Sequence, residues 1–274
     1  MRRSLHLLAP VALGLPSLAF AGSVLKLEMK DYAGDPPVVS TIEISTEGRS
    51  SRMEMTTAGQ EESSGMIWRG ESADMVAIDH QAREYFVLDE AAMETMAERV
   101  GGAMREMQKA LEAMPPEQRA MAEAMMKEHM PGLDGSATPP ATLHATGRKD
   151  SVGGFGCRYY EVRRANVKVR ELCVTPWDDL PDGRSTGVAM LEMAGFFDRI
   201  ANAFSDGAGL DLTGGQHEIW EHMRELDGYP VLTRELDESG AVTSETVLRA
   251  AESKRLDTGF FEPPEGYAAR QLEF

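Results

Sequence analysis

The stretch FGCRYYEVRRANVKVRELCVT, residues 155–175, decides how this chain is read. Residues 155–164 and 167–175 are rich in Val and Tyr and read as two strands. Ala165-Asn166 between them suits a tight turn, because Asn tolerates the left-handed backbone that such turns need. Centring the hairpin on Ala165 sets Cys157 directly opposite Cys173. Direct cross-strand neighbours have Cβ atoms about 4.5–5.5 Å apart, so a small local adjustment closes a disulfide. These are the only two cysteines. A metal or redox pair is disfavoured: there is no C-x-x-C spacing and no His close in sequence to either Cys.

Working outward, the region before this hairpin is β, then helical. Strands are expected at 25–30, 37–46, 51–57, 64–69, 74–79 and 83–88, separated by turn-forming clusters. From Asp89 to about Met130 the chain turns to Ala, Met, Glu, Arg, Lys and Gln, all good helix formers. Asp89 is placed to cap the first helix, and Pro115-Pro116 to end it and open a second. The result is a Met-rich helical hairpin inserted at about 89–131. After the cysteine hairpin, 176–186 reads as loop and 187–204 as a helix. Met190, Met193, Phe197, Ile200 and Phe204 form one apolar stripe on it. A short helix is expected over 217–226. A last hairpin pairs 230–236 with a long strand from 241 to about 256. The fold class is α+β: an antiparallel sheet with a helical hairpin insertion and a further helix.

Residues 1–21 read as a secretory signal peptide. Arg2 and Arg3 precede an apolar run from Leu5 to Leu18, which ends in Ala19-Phe20-Ala21, a small-x-small cleavage site. The run is shorter than the roughly 20 apolar residues of a membrane span, and no later segment is apolar enough to make one. Cleavage after Ala21 leaves residues 22–274 as a single periplasmic domain with no Cys at its start for a lipid anchor. It also leaves 26 basic residues against 45 acidic ones. Such acidity disfavours nucleic acid and anionic lipid surfaces as partners.

No catalytic constellation is legible. G-x-S-x-G and phosphate-loop signatures are missing. His217 and His222 are five apart, which on a helix sets their rings about 140° apart, unlike the i, i+4 pair of a zinc-protease helix. No enzyme activity and no cofactor are therefore expected. Met121, Met125 and His129, at i, i+4 and i+8, share one helical face, and thioether with imidazole suits Cu(I). The competing reading is that Met fills an adaptable apolar surface.

Three patterns carry a resemblance. The first is Arg52-Met53-Glu54-Met55 followed by Met75 to His80 and Tyr85-Phe86-Val87-Leu88. The second is Gly154-Phe155-Gly156-Cys157-Arg158-Tyr159-Tyr160 with Glu171-Leu172-Cys173-Val174 and Trp177. The third runs from Gly228-Tyr229-Pro230 to Phe261-Glu262-Pro263-Pro264-Glu265-Gly266-Tyr267. In this order they resemble an uncharacterised family of bacterial periplasmic proteins, a domain of unknown function related in fold to outer-membrane lipoprotein carriers. The resemblance implies a curled sheet, an unclosed barrel, with helices on its concave side. It also implies room for a lipid or other apolar ligand, lined here by Met190, Met193, Phe197, Ile200 and Phe204. An envelope protein partner is the other expectation.

Overall fold

The computed structural model describes residues 22–59, 64–129, 139–208 and 224–270. The signal segment, residues 130–138, the expected helix at 217–226 as far as residue 223, and the His217–His222 pair lie outside them.

The chain builds two antiparallel meanders and joins them into one sheet. The first is β1 (Gly22–Asp31), β2 (Val38–Glu47), β3 (Ser50–Thr57), β4 (Ser64–Arg69), β5 (Asp74–Asp79) and β6 (Glu84–Leu88). Helices α1 (Glu90–Ala113) and α2 (Pro116–His129) follow. The second meander is β7 (Ala141–Val152), β8 (Phe155–Arg164), β9 (Val167–Pro176), β10 (Gly228–Leu236) and β11 (Val242–Lys254). Helix α3 (Gly183–Ala208) is inserted between β9 and β10. Pairing of β1 with β11 makes a sheet of order β12-β6-β5-β4-β3-β2-β1-β11-β10-β9-β8-β7, in which β12 is the short pair Ala268–Ala269. Among the described strands only the β12–β6 contact is parallel. The sheet is not closed into a barrel.

Side-chain alternation assigns the two faces of the first meander. Met66, Trp68, Met75, Phe86 and Leu88 point to the helices. Ile67, Val76, Ile78, Tyr85 and Val87 point the other way, beneath Leu256, Phe260, Phe261 and Tyr267 of the C-terminal segment. That segment is pinned by polar contacts. Arg52 donates to the Phe260 carbonyl at 3.0 Å, and Arg69 pairs with Glu262 at 3.0 Å. His80 bridges the Tyr267 hydroxyl (2.9 Å) and Glu54 (2.7 Å).

The cysteine hairpin forms with a different register from the one expected. Ala165 and Asn166 both take positive φ, 47° and 68°, so the turn has two central residues and Arg164 faces Val167. An irregularity between Val162 and Arg163, which leaves Val169 unpaired, then shifts the partners by one. Tyr159 thus faces Cys173, and Cys157 reaches Cys173 along a diagonal, with Cα atoms 5.4 Å apart. The disulfide is present, but between diagonal rather than directly opposed residues. Both cysteines are buried in the core under α3, with Leu25, Tyr159, Trp177 and Leu248.

The second meander curls over that core. Strands β8 and β11 are three places apart in the sheet, roughly 14 Å if it were flat. Yet Gly153, at the β7–β8 tip, lies against β11: a Cβ there would stand 2.1 Å from the Leu248 carbonyl oxygen. Gly153 and Gly154 both have positive φ, but a Cβ on Gly154 would meet nothing within 4 Å. Gly153→Ala is therefore expected to lower unfolding free energy by about 1–3 kcal/mol more than Gly154→Ala in urea titrations. Reducing the disulfide is expected to remove about 3 kcal/mol in the same assay, given the short loop it closes.

Candidate binding cleft between the helices

Asp89 sets the start of α1, accepting the Ala92 amide at 2.8 Å. Met93, Ala97 and Gly101 recur at helical spacing and are the buried residues of α1. Among the described residues, the buried side of this helix ends at Gly101. Met121 and Met125 on α2 are exposed, at 69% and 56%.

Helix α3 starts at Gly183, earlier than the sequence suggests, because Asp182 organises its first turn. The Asp182 carbonyl accepts the Thr186 amide (3.1 Å), and its carboxylate accepts the Ser185 hydroxyl (3.0 Å). The preceding segment is strand to Pro176 and then a 3-10 turn at Trp177–Asp179, rather than open loop. Three contacts seat α3, one on β1 and two on the adjoining turns. Thr186 meets Ser23 of β1 in a buried hydroxyl pair at 2.6 Å. Gly187 lies flat on the Trp177 indole, 3.0 Å from where a Cβ would be. Arg49 holds Glu192 through Nε at 2.9 Å to each carboxylate oxygen.

The expected apolar stripe divides along the helix. Met190 packs into the disulfide-side core, while Met193 joins Trp68, Met75, Leu88 and Met93. Phe197 and Ile200 pack against that second cluster and are only part-buried. The Phe204 side chain lies outside the described residues. The sequence reading missed Phe196, which is fully buried with its ring 5.2 Å from that of Trp68. It sits one position off the chosen stripe, on the wide side of a helix that touches both α1 and the sheet. Trp68 Nε1, at the base of this cluster, is a buried donor without a hydrogen-bond partner among the described residues.

Between α1 and α3 lies an open cleft of about 500 Å³. Met93 and Ala97 form its apolar floor, Glu90, Glu94 and Glu98 an acidic ridge, and Arg105 and Arg199 its basic groups. The Arg199 guanidinium lies 5.6 Å from the Phe196 ring centre and donates to the Gly195 carbonyl at 3.2 Å. The volume is within the usual range for ligand sites, but charged side chains outnumber apolar ones, the reverse of a typical small-molecule pocket. The i, i+4, i+8 spacing of the three Glu was the available sequence signal.

Among the described residues no group of three or more His, Cys, Asp or Glu is arranged to hold a metal ion. The structure places Met121 and Met125 on the exposed side of α2, and the His129 side chain lies outside the described residues. Tyr229 is fully buried, and burial holds its hydroxyl well above the ordinary phenol range, so it stays neutral. No helix among the described residues is long and apolar enough to cross a membrane.

No protein-family model and no curated protein matches the chain. Among solved structures, it is similar to an uncharacterised conserved protein from Thermus thermophilus, at 8% identity and TM-score 0.44, covering 92% of this chain and 91% of that one. It is also similar to MucB in complex with MucA(peri), at 8% identity and TM-score 0.39, covering 92% and 57%. The Pseudomonas aeruginosa MucA/MucB complex matches at 9% identity and TM-score 0.37, covering 88% and 55%. The chain thus spans little more than half the length of the MucB chains.

The packing distinguishes neighbouring aromatics. Phe196→Ala is expected to cost about 3–5 kcal/mol in chemical denaturation, whereas Phe197→Ala, part-buried, costs clearly less.

Proposed function

We propose that this is a non-catalytic protein of the periplasm that binds a polypeptide partner in the α1–α3 cleft. The lining of that cleft carries the reading. A floor of Met93 and Ala97 between Glu90, Glu94, Glu98 and the two arginines offers both charge signs around a small apolar strip. An extended or helical peptide with mixed side chains suits such a lining better than an acyl chain does. The apolar stripe points the same way, since Met190 and Met193 are buried against the sheet at 3% and 7% exposure. The periplasmic address is supported by the signal-like residues 1–21 and by the Cys157–Cys173 bridge, which suits an oxidising compartment.

A bound apolar ligand is the second reading. Part-buried Phe197 and Ile200 beside the Met93 floor favour it, together with Trp68 Nε1, which has no partner among the described residues and which a ligand oxygen would satisfy. Met190, Met193, Phe197, Ile200 and Phe204 would then line the ligand when α3 shifts.

Native mass spectrometry of protein purified from periplasm separates the two. The partner reading expects no stoichiometric lipid. It also expects a photo-crosslinker at Ala97 to capture a discrete polypeptide. Glu94→Lys with Glu98→Lys should reduce that capture at least tenfold at unchanged thermal stability. Stoichiometric co-purified lipid, or capture indifferent to charge reversal, would overturn it.

A further inference from the structure

The two ends of the sheet are treated differently. At one end β6 is partnered by the chain's own β12. At the other, β7 is the terminal strand, and no other described strand pairs with its outer side. Residues 144–151 of β7 are all exposed. This edge also has the wrong charge for the molecule. The protein carries a net charge of −17, yet residues 141–170 contain seven Lys or Arg against only Asp150 and Glu161.

Most of those cations are neutralised locally. Arg148 pairs with Glu171, Arg163 with Glu161, Lys168 with both, and Arg170 with Glu235. Lys149 and Arg158 are different. They sit directly opposite each other across the β7–β8 ladder, both exposed, with no acidic partner among the described residues. Like charges in that relation destabilise an antiparallel pair. Edge protection accounts for part of the arrangement, since a lysine and the irregularity between Ala145 and Lys149 both discourage stray pairing. It does not account for Arg158. That residue is on β8, already paired on both sides, where a cation protects no edge.

We propose that the outer edge of β7 receives an extended, acidic segment of a partner polypeptide, added as a further antiparallel or parallel strand. Its main chain pairs with outward groups of residues 144–151, where the Arg148 and Ser151 amides now donate to Thr146 Oγ1 and Asp150 Oδ1 and would exchange those bonds for the partner's, and carboxylates on alternate residues of one face reach Lys149 and Arg158. Strand addition supplies affinity through the main chain and selectivity through the side chains. A second copy of this chain is a poor occupant, because edge-to-edge pairing would bring two basic ribbons together. The surface is separate from the α1–α3 cleft, and the inference stands without it.

The probe is a fluorescein-labelled ten-residue peptide of alternating Thr and Glu, followed by anisotropy at low salt with the intact protein. Controls are the Thr/Lys peptide and a Thr/Glu peptide with two Thr replaced by Pro, which removes amide donors. The Glu peptide should bind and slow amide exchange in 141–152. The Lys and Pro peptides should bind at least tenfold more weakly. Lys149→Glu with Arg158→Glu should weaken the Glu peptide at least tenfold, and Lys149→Gln with Arg158→Gln should fall between; circular dichroism confirms that each variant is folded. Equal binding of the Pro peptide would overturn strand addition. Binding unaffected by the charge changes would overturn the site. If the Glu peptide does not bind and charge reversal instead causes self-association in sedimentation, the cations only guard the edge and the proposal fails.

Discussion

The pairing of β1 with β11 holds this molecule together. Each meander is built from consecutive strands, and neither needs the other to form its ladder. Joined at β1, they become one sheet in which the first described strand is central, paired on one side to β2 and on the other to β11. Ser23, Val24 and Leu25 are almost wholly buried there. Strand β1 also receives the helix layer, through the Ser23–Thr186 hydroxyl pair. One strand therefore fixes the relation of both meanders and the height of α3 above them. Its β11 partners are more than 200 positions away, so this pairing closes the largest loop in the fold.

Coverage of the sheet follows from that junction. The first meander has two apolar faces, and each acquires its own cover: α1 and α3 on one, the C-terminal segment on the other. The second meander instead covers itself in part by curling, with Gly153 touching Leu248. Strand β7 ends the sheet, and no other described strand covers its outer side.

The cysteine pair shows the difference between composition and register. Residues 155–175 announced two strands, a turn at Ala165-Asn166 and a disulfide. All three are present. The expected direct opposition was wrong because the turn is centred between Ala165 and Asn166 rather than on Ala165, and because an unpaired residue, Val169, cannot be read from alternation alone. One extra residue on one strand moves every partner beyond it by one. The early start of α3 has a similar origin, since Asp182 acts through a carbonyl and a side chain whose geometry is set by the preceding 3-10 turn.

Local sequence determined the strand and helix order, the Asp89 cap, the Pro115-Pro116 break and the identity of the disulfide partners. Each depends on residues within a few positions of one another. The tertiary structure decided what those elements are for. It showed that Met190 and Met193 serve the core, that Phe196 rather than Phe197 is the central aromatic, and that Glu90, Glu94 and Glu98 face Arg199 from another helix. It also set Lys149 against Arg158 beside an open edge. These are meetings between distant segments, and periodicity within one segment says which face is apolar but not what will cover it.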